Sequence, residues 1–310
     1  MRIMIIGSSG QLGSELLHRF SDAEVIPVDR TEAAVTLDIR DSARTAEVLD
    51  SEKPDMVINT AAFHNLLACE QQPAEAFAVN ATATGNLAKL CAKRGIRLVH
   101  FSTNYVFGGT VFHDTTRDAA PDGPVPPRPY REDDPPSPIN VLGASKLAGE
   151  YLIQAYHPEV QIIRTAALYG VAACQSRGGD RNFVENILHL AKTKRPMRLI
   201  QDIVTTPTHA ADLAVQVRKI VDLGGPGVYH ATCEGWCTWY EFGCAVLEEC
   251  GISPASRPEA VSARQFQTPV RRPGYSVLEN SRVKSLGIAD MPSWRESLRR
   301  YLRLAGHLVG

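Results

Sequence analysis

The segment Gly7-Ser8-Ser9-Gly10-Gln11-Leu12-Gly13 could do chemistry with its backbone alone. It follows the apolar run Arg2–Ile6 and opens Gln11–Phe20, where Leu12, Leu16, Leu17 and Phe20 recur at helical spacing. A strand, a glycine turn and a helix in that order let backbone approach a pyrophosphate that side chains would block. The free N–H groups and positive dipole end of the helix then face the phosphates. Asp29, 22 residues beyond Gly7, stands at the spacing of a carboxylate that accepts hydrogen bonds from a ribose 2′-hydroxyl. A carboxylate there repels a 2′-phosphate and favours NAD(H), whereas the adjacent Arg30 accommodates the phosphate of NADP(H). The expected cofactor is therefore NAD(H) or NADP(H), against the plainer reading of a glycine turn that holds no ligand.

Other reactive side chains carry less. The seven cysteines are scattered, odd in number and without the two-residue spacing of a zinc knuckle. They read as free thiols in a reducing compartment rather than as a metal site, Cys233 and Cys237 included. His209, Asp212 and His230 read as helix-cap and core residues, and Trp236 and Trp239 as core aromatics.

The elements that must position the glycine turn alternate. Strands are expected at Arg2–Ile6, Glu24–Val28, Met56–Asn59, Arg97–Ser102 and Val160–Thr165. Helices are expected over Gln11–Phe20, Ser42–Ser51, Pro73–Arg94 (stopped by Gly95) and Val141–Tyr156. This rhythm predicts an α/β fold with a Rossmann-type doubly wound parallel sheet, covered on both faces. Beyond it lie helices at Asn182–Lys194, Thr208–Leu223, Thr238–Cys250 and Pro292–Leu304, with short strands at Met197–Ile200 and Gly227–Ala231. The division is a dinucleotide-binding domain over 1–170 and a smaller α+β, mainly substrate-binding lobe over 171–310, closely packed on the first. Residues 108–138 hold eight of the 20 prolines and can be neither helix nor central strand. The segment lies at the ligand edge of the sheet and reads as a lid or as a floppy insertion.

The 310 residues carry a formal net charge of -1, with 44% hydrophobic and 22% charged side chains. That is an ordinary soluble composition, with no electrostatic pull toward nucleic acid or anionic membrane. No stretch approaches 18 apolar residues, so a cytoplasmic protein is expected.

At the level of motifs, Gly7–Gly13 joins with Asn59-Thr60-Ala61-Ala62-Phe63, Asn80, Ser102-Thr103-Asn104-Tyr105-Val106-Phe107 and Gly143-Ala144-Ser145-Lys146-Leu147-Ala148-Gly149-Glu150. Further along come Arg164-Thr165, Leu168-Tyr169-Gly170, Asn182-Phe183-Val184, Thr206-Pro207-Thr208 and Trp239-Tyr240-Glu241-Phe242. Together these resemble the dTDP-4-dehydrorhamnose reductase family, extended short-chain dehydrogenases/reductases, over essentially the whole chain. The resemblance implies reduction of a 4-keto nucleotide sugar by NAD(P)H. It extends the cofactor-binding set from Gly7, Ser9, Gly10, Gln11, Leu12, Gly13, Asp29 and Arg30 to Asp38, Ile39, Ala61, Ala62, Phe63, Asn80 and Lys146.

The family's chemistry uses a hydroxyl residue, a tyrosine and a lysine four residues later. The phenol protonates the carbonyl oxygen and the ammonium, on the same helix face, lowers its pKa from about 10. Carried across, Thr103 matches the hydroxyl and Lys146 the lysine, but Leu142 stands at the tyrosine position. Asn104 replaces the family's Asp, and the substrate-stacking Trp falls at Ala167. Loss of a positioned acid removes about 10²–10⁴-fold in rate, so weak activity or none is expected on the standard 4-keto-rhamnose substrate. Substitute donors are Tyr105, which also reads as structural, Tyr130 and His113 on the Pro-rich loop, and water held by Thr103 and Lys146. Thr103 and Asn104 form the substrate side with Asn182 and Arg272, which read equally as diphosphate contacts or as capping and surface residues. The rival reading is a catalytically silent NAD(P)-binding sensor or regulatory subunit. A homodimer or a regulatory partner protein is the expected assembly.

Overall fold

The computed structural model describes residues 1–31, 33–111, 127–172, 181–252, 257–266 and 270–308. Its first strand sets the architecture. Along β1 (Arg2–Ile6), Ile3 and Ile5 enter one apolar cluster while Met4 and Ile6 enter another. Both faces of the sheet are buried, so the strand is a continuous apolar run rather than an alternating one.

The chain continues through α1 (Gln11–Arg19), β2 (Glu24–Asp29), the two-residue β3 (Val35–Thr36), α2 (Ser42–Glu52), capped by the Asp41 carboxylate, and β4 (Met56–Asn59). It then passes through α3 (Leu66–Gln71), α4 (Pro73–Phe77), a π turn (Ala78–Ala83) and α5 (Thr84–Arg94) to β5 (Arg97–Thr103). α6 (Val141–Tyr156), β6 (Gln161–Thr165), β7 (Leu168–Tyr169), α7 (Phe183–Lys192) and the short strands β8 (Arg198–Ile200), β9 (Val204–Thr205) and β10 (Thr208–His209) follow. α8 (Ala210–Leu223), β11 (Gly227–His230), β12 (Cys237–Thr238), α9 (Trp239–Glu249), β13 (Glu259–Val261), α10 (Ser281–Ser285) and α11 (Trp294–Leu304) complete it.

Seven parallel strands pair in the order β11-β6-β5-β4-β1-β2-β3. The chain winds outward from β1 in both directions, which is the doubly wound topology expected from the alternation. Among the described residues no helix is long and apolar enough to cross a membrane.

The structure departs from sequence periodicity in four places. The helix expected over Pro73–Arg94 contains the π turn at Ala78–Ala83, and Leu66–Gln71 forms a further helix before it. Thr208 and His209 pair with β7 before α8 begins at Ala210. Trp236 is 47% exposed and is no core aromatic. The two halves also share one sheet and one core. β11 returns to pair with β6, Leu213 and Val217 of α8 join Leu16 of α1, and Arg218 pairs with Asp22.

Of the Pro-rich stretch, residues 112–126, with His113, lie outside the described residues. Tyr130 is described and is 1% exposed, its ring stacked on Phe107 at 4.4 Å and its hydroxyl donating to the Thr110 carbonyl. It packs in its own cluster with Val106, Leu147 and Leu278 and does not reach the cleft described next, which removes it as a substitute donor.

Candidate active site

The carboxyl ends of the central strands open into one cleft of about 800 Å³. Its centre lies where the winding reverses at β1 and β4, the place where open α/β sheets hold ligands.

At one end stands the glycine turn. Gly7 has φ +82°, and a Cβ there would lie 2.4 Å from Thr60 Oγ1 and 3.0 Å from the Ala61 amide nitrogen, so only glycine fits. Gly10 precedes α1 and supplies no side-chain cap, which leaves first-turn N–H groups for an incoming anion. Ser9, Gln11, Leu12 and Gly13 line the same wall. The Asp29 carboxylate accepts from the Ser9 amide (3.0 Å), the Ser9 hydroxyl (2.7 Å) and the Arg30 amide (2.7 Å), which fixes it at the rim. Asp38 is held ionised, its pKa lowered by the Arg40 guanidinium at 2.5 Å, and Ile39, 5% exposed, adds apolar surface.

Ala61, Ala62 and Phe63 form the opposite lip. Asn80 holds it. Its Oδ1 accepts from the Phe63 amide at 2.9 Å and its Nδ2 donates to the Phe63 carbonyl at 2.7 Å and to Ser145 Oγ at 3.0 Å. Asn80 is fully buried, and these bonds make it a support of the lip. The π turn is what presents it inward, as such turns often do at functional sites.

The reactive end is built by β5 and α6. Asn140 caps α6, accepting from the Gly143 amide at 2.8 Å, and Gly143 lets the helix seat against the turn after β5. A Cβ on Gly143 would lie 2.0 Å from the Tyr105 carbonyl oxygen. Leu142 and Lys146, one helical turn apart, both line the cleft. Leu142 packs with Cys69 and Ala76 in a cluster that also takes Phe63, Leu66, Tyr105 and Val141. Its place beside Lys146 is thus an apolar wall with no proton to give.

Lys146 Nζ donates to the Phe101 carbonyl at 2.5 Å and lies 3.2 Å from His100 Nε2. Burial pulls its pKa down to about 8, against the raising charge of Glu150. Burial and then the Lys146 charge hold His100 well below the usual histidine range, so that ring is neutral. Thr103, the last residue of β5, donates to Asn104 Oδ1 and accepts from the Tyr105 amide, both at 3.2 Å. Asn104 is tied by Nδ2 to Ser276 Oγ at 2.8 Å, so its amide is largely committed within the protein.

Toward the other end the walls become aromatic and cationic. Phe183 and Trp239 lie 4.9 Å apart, and the Arg198 guanidinium stands 5.8 Å from the Phe266 ring. Arg272 lies at the mouth. Asn182 is the cap of α7. It accepts from the Glu185 amide at 3.0 Å and donates to the Gly170 carbonyl and Tyr301 OH, both at 2.8 Å, so the capping reading describes its side chain. Ala167 lines the cleft at φ +42°, a conformation unusual for a residue with a Cβ.

Sequence reasoning missed several groups. His64, next to the Asn59–Phe63 motif, lines the cleft as an exposed side chain, and desolvation among the cleft walls and then the Lys146 charge lower its pKa. Ser102 Oγ, Thr165 Oγ1 and Tyr169 OH are buried on the cleft wall without hydrogen-bond partners among the described residues. Buried hydroxyls are normally satisfied, so these suit a polar ligand. No spacing rule announces them, because they come from the ends of three different strands, β5, β6 and β7.

The RmlD substrate binding domain model matches residues 1–306 of the chain. The spore coat polysaccharide biosynthesis protein SpsK of Bacillus subtilis is 34% identical over 304 residues, 97% of each chain. The dTDP-4-dehydrorhamnose reductase of Mycobacterium tuberculosis is 36% identical over 301 residues, 96% of this chain and 91% of that one. The crystal structure of dTDP-4-dehydrorhamnose reductase from Bacillus anthracis in complex with NADP superposes with a TM-score of 0.84 at 30% identity, covering 98% of this chain and 99% of that one. With the glycine turn, the Thr103–Lys146 end and the doubly wound sheet in one cleft, this chain belongs to the RmlD substrate binding domain family.

Proposed function

We propose that this protein is an NAD(P)H-dependent reductase of a 4-keto nucleotide sugar of the dTDP-4-dehydrorhamnose type, working with a remodelled proton-donating end. One observation carries the reading. In a chain of this family, a single cleft joins the phosphate-binding turn at Gly7–Gly13 to Thr103 and Lys146.

The residues present fit a dinucleotide. A Cβ would fill the cradle at Gly7, α1 begins without a side-chain cap, and unpartnered hydroxyls line the wall. Gly7, Ser9, Gly10, Gln11, Leu12 and Gly13 would hold the diphosphate, Asp29 a ribose, and Asp38 and Ile39 the adenine side. Arg30 and Arg40 at the same rim support NADP(H) as well as NAD(H). When bound, the reduced nicotinamide supplies a hydride. Thr103 Oγ1 would donate to the substrate carbonyl oxygen and polarise it, and Lys146 would hold the cofactor's ribose and place positive charge beside the developing alkoxide. Arg272 at the mouth suits the sugar's diphosphate. The free, buried thiols of Cys69, Cys91, Cys233, Cys237 and Cys244 support a cytoplasmic setting.

The test follows NAD(P)H absorbance with dTDP-4-dehydrorhamnose and the purified protein. Substrate-dependent oxidation, slower than in a Leu142→Tyr variant, is the expected result. Bound cofactor with no oxidation by either protein would count against the reading.

A further inference from the structure

We propose that Tyr105 is the proton donor of this site, with Arg272 as the cation that tunes it. This rests on the reductase reading above and names the group that replaces the phenol missing at position 142. Tyr105 lines the cleft and packs against Leu142, two residues beyond Thr103, and its amide is anchored on Thr103 Oγ1 at 3.2 Å. The hydroxyl meant to polarise the carbonyl therefore caps the short 3-10 turn (Asn104–Val106) that carries the Tyr105 phenol, and α6 holds that turn rigid through the close approach of Gly143 to the Tyr105 carbonyl. Among the described residues nothing hydrogen-bonds the phenol, so it is uncommitted.

Its surroundings favour it over the other labile protons. Burial raises the Tyr105 pKa and the Arg272 charge draws it back, so the phenol is protonated at neutral pH and its anion has a cation nearby. His64 is an exposed side chain with Nδ1 3.3 Å from the Ala62 carbonyl, and its pKa is lowered, so its ring is neutral at pH 7 and is a reluctant donor. Lys146 is turned to the Phe101 carbonyl and His100. Of the remaining groups around the Leu142 cluster, Glu70 accepts from the Val141 amide at 2.9 Å, and the Cys69 thiol is pushed up to about 11 by burial and then Glu70. In the step, the C–H bond forms with hydride from NAD(P)H, the Tyr105 O–H bond breaks and its proton goes to the carbonyl oxygen. The phenolate left beside Arg272 regains a proton from solvent.

The experiment compares Tyr105→Phe with wild type, using NADPH and dTDP-4-dehydrorhamnose. The expected result is a fall in kcat of about 10²-fold or more, with NADPH affinity by fluorescence and Tm unchanged. Adding Leu142→Tyr to Tyr105→Phe should restore turnover, because it returns a phenol to the same cleft. In ligand-free protein carrying ¹³C-labelled tyrosine, Arg272→Gln should raise the pH at which the Tyr105 phenol titrates. Turnover of Tyr105→Phe within three-fold of wild type, a matching loss in His64→Gln instead, or a Tyr105 titration indifferent to Arg272 would overturn the assignment. An inactive wild type would speak against the reductase reading, while the Tyr105 titration still decides whether Arg272 tunes the phenol.

Discussion

Leu142 and Lys146 are one helical turn apart, and the contrast between them defines the site. The leucine closes an apolar cluster, and the lysine is 4% exposed with its ammonium held by a carbonyl. A buried ammonium opposes folding. Its pKa of about 8 in the folded protein lies below the 10.5 of an exposed lysine, so between those values the unfolded chain holds a proton that the folded chain lacks. Stability contributed by this group is therefore lowest below pH 8 and rises as the pH climbs through the window, by at most about 3 kcal/mol. Wild-type protein should gain stability between pH 8 and pH 10 in urea titrations, and Lys146→Met should lose that gain together with turnover. Equal pH slopes in the two proteins would show that Lys146 is not buried as a charge. Position 142 was legible in the sequence because the motif around it is intact on both sides. The orphan hydroxyls of Ser102, Thr165 and Tyr169 were not, since burial without a partner is a property of the packed strands and not of spacing.

Among the elements, α6 carries the most function and is held on three sides. Gly143 admits the turn after β5, Gly149 admits the Asn80 carbonyl at the π turn, and Glu150 pairs with Arg164 of β6 through contacts of 2.7 to 3.2 Å. That ion pair is buried, with side chains 1% and 5% exposed. Removing one partner leaves an uncompensated charge, which costs about 3–5 kcal/mol. Glu150→Ala should lower the urea midpoint by a corresponding amount, and a shift equivalent to less than about 1 kcal/mol would mean that solvent reaches Arg164. The helix itself was readable from its apolar periodicity. The π turn was not, because a one-residue insertion within Pro73–Arg94 leaves helical spacing nearly unchanged. Its consequence, that Asn80 braces the lip, needed the fold.

For the molecule as a whole, the doubly wound sheet was legible because each βα repeat in the first half is short and its strands are built on apolar runs. The return of β11 to the edge of that sheet was not, since nothing in Gly227–His230 distinguishes a strand of the main sheet from one of a separate lobe. The result is a cleft walled by both halves, with the glycine turn on one side and Phe183, Trp239 and Arg272 on the other. Such a cleft can hold a dinucleotide and a nucleotide sugar together, so the reaction assigned to it is direct transfer between them. The decisive measurement is single-turnover reaction of dTDP-4-dehydrorhamnose with NADPH deuterated at nicotinamide C4, followed by NMR of the sugar. Deuterium at C4 of the product sugar is the predicted result. Cofactor bound in the cleft with no deuterium in the sugar, at either face of the nicotinamide, would contradict the account.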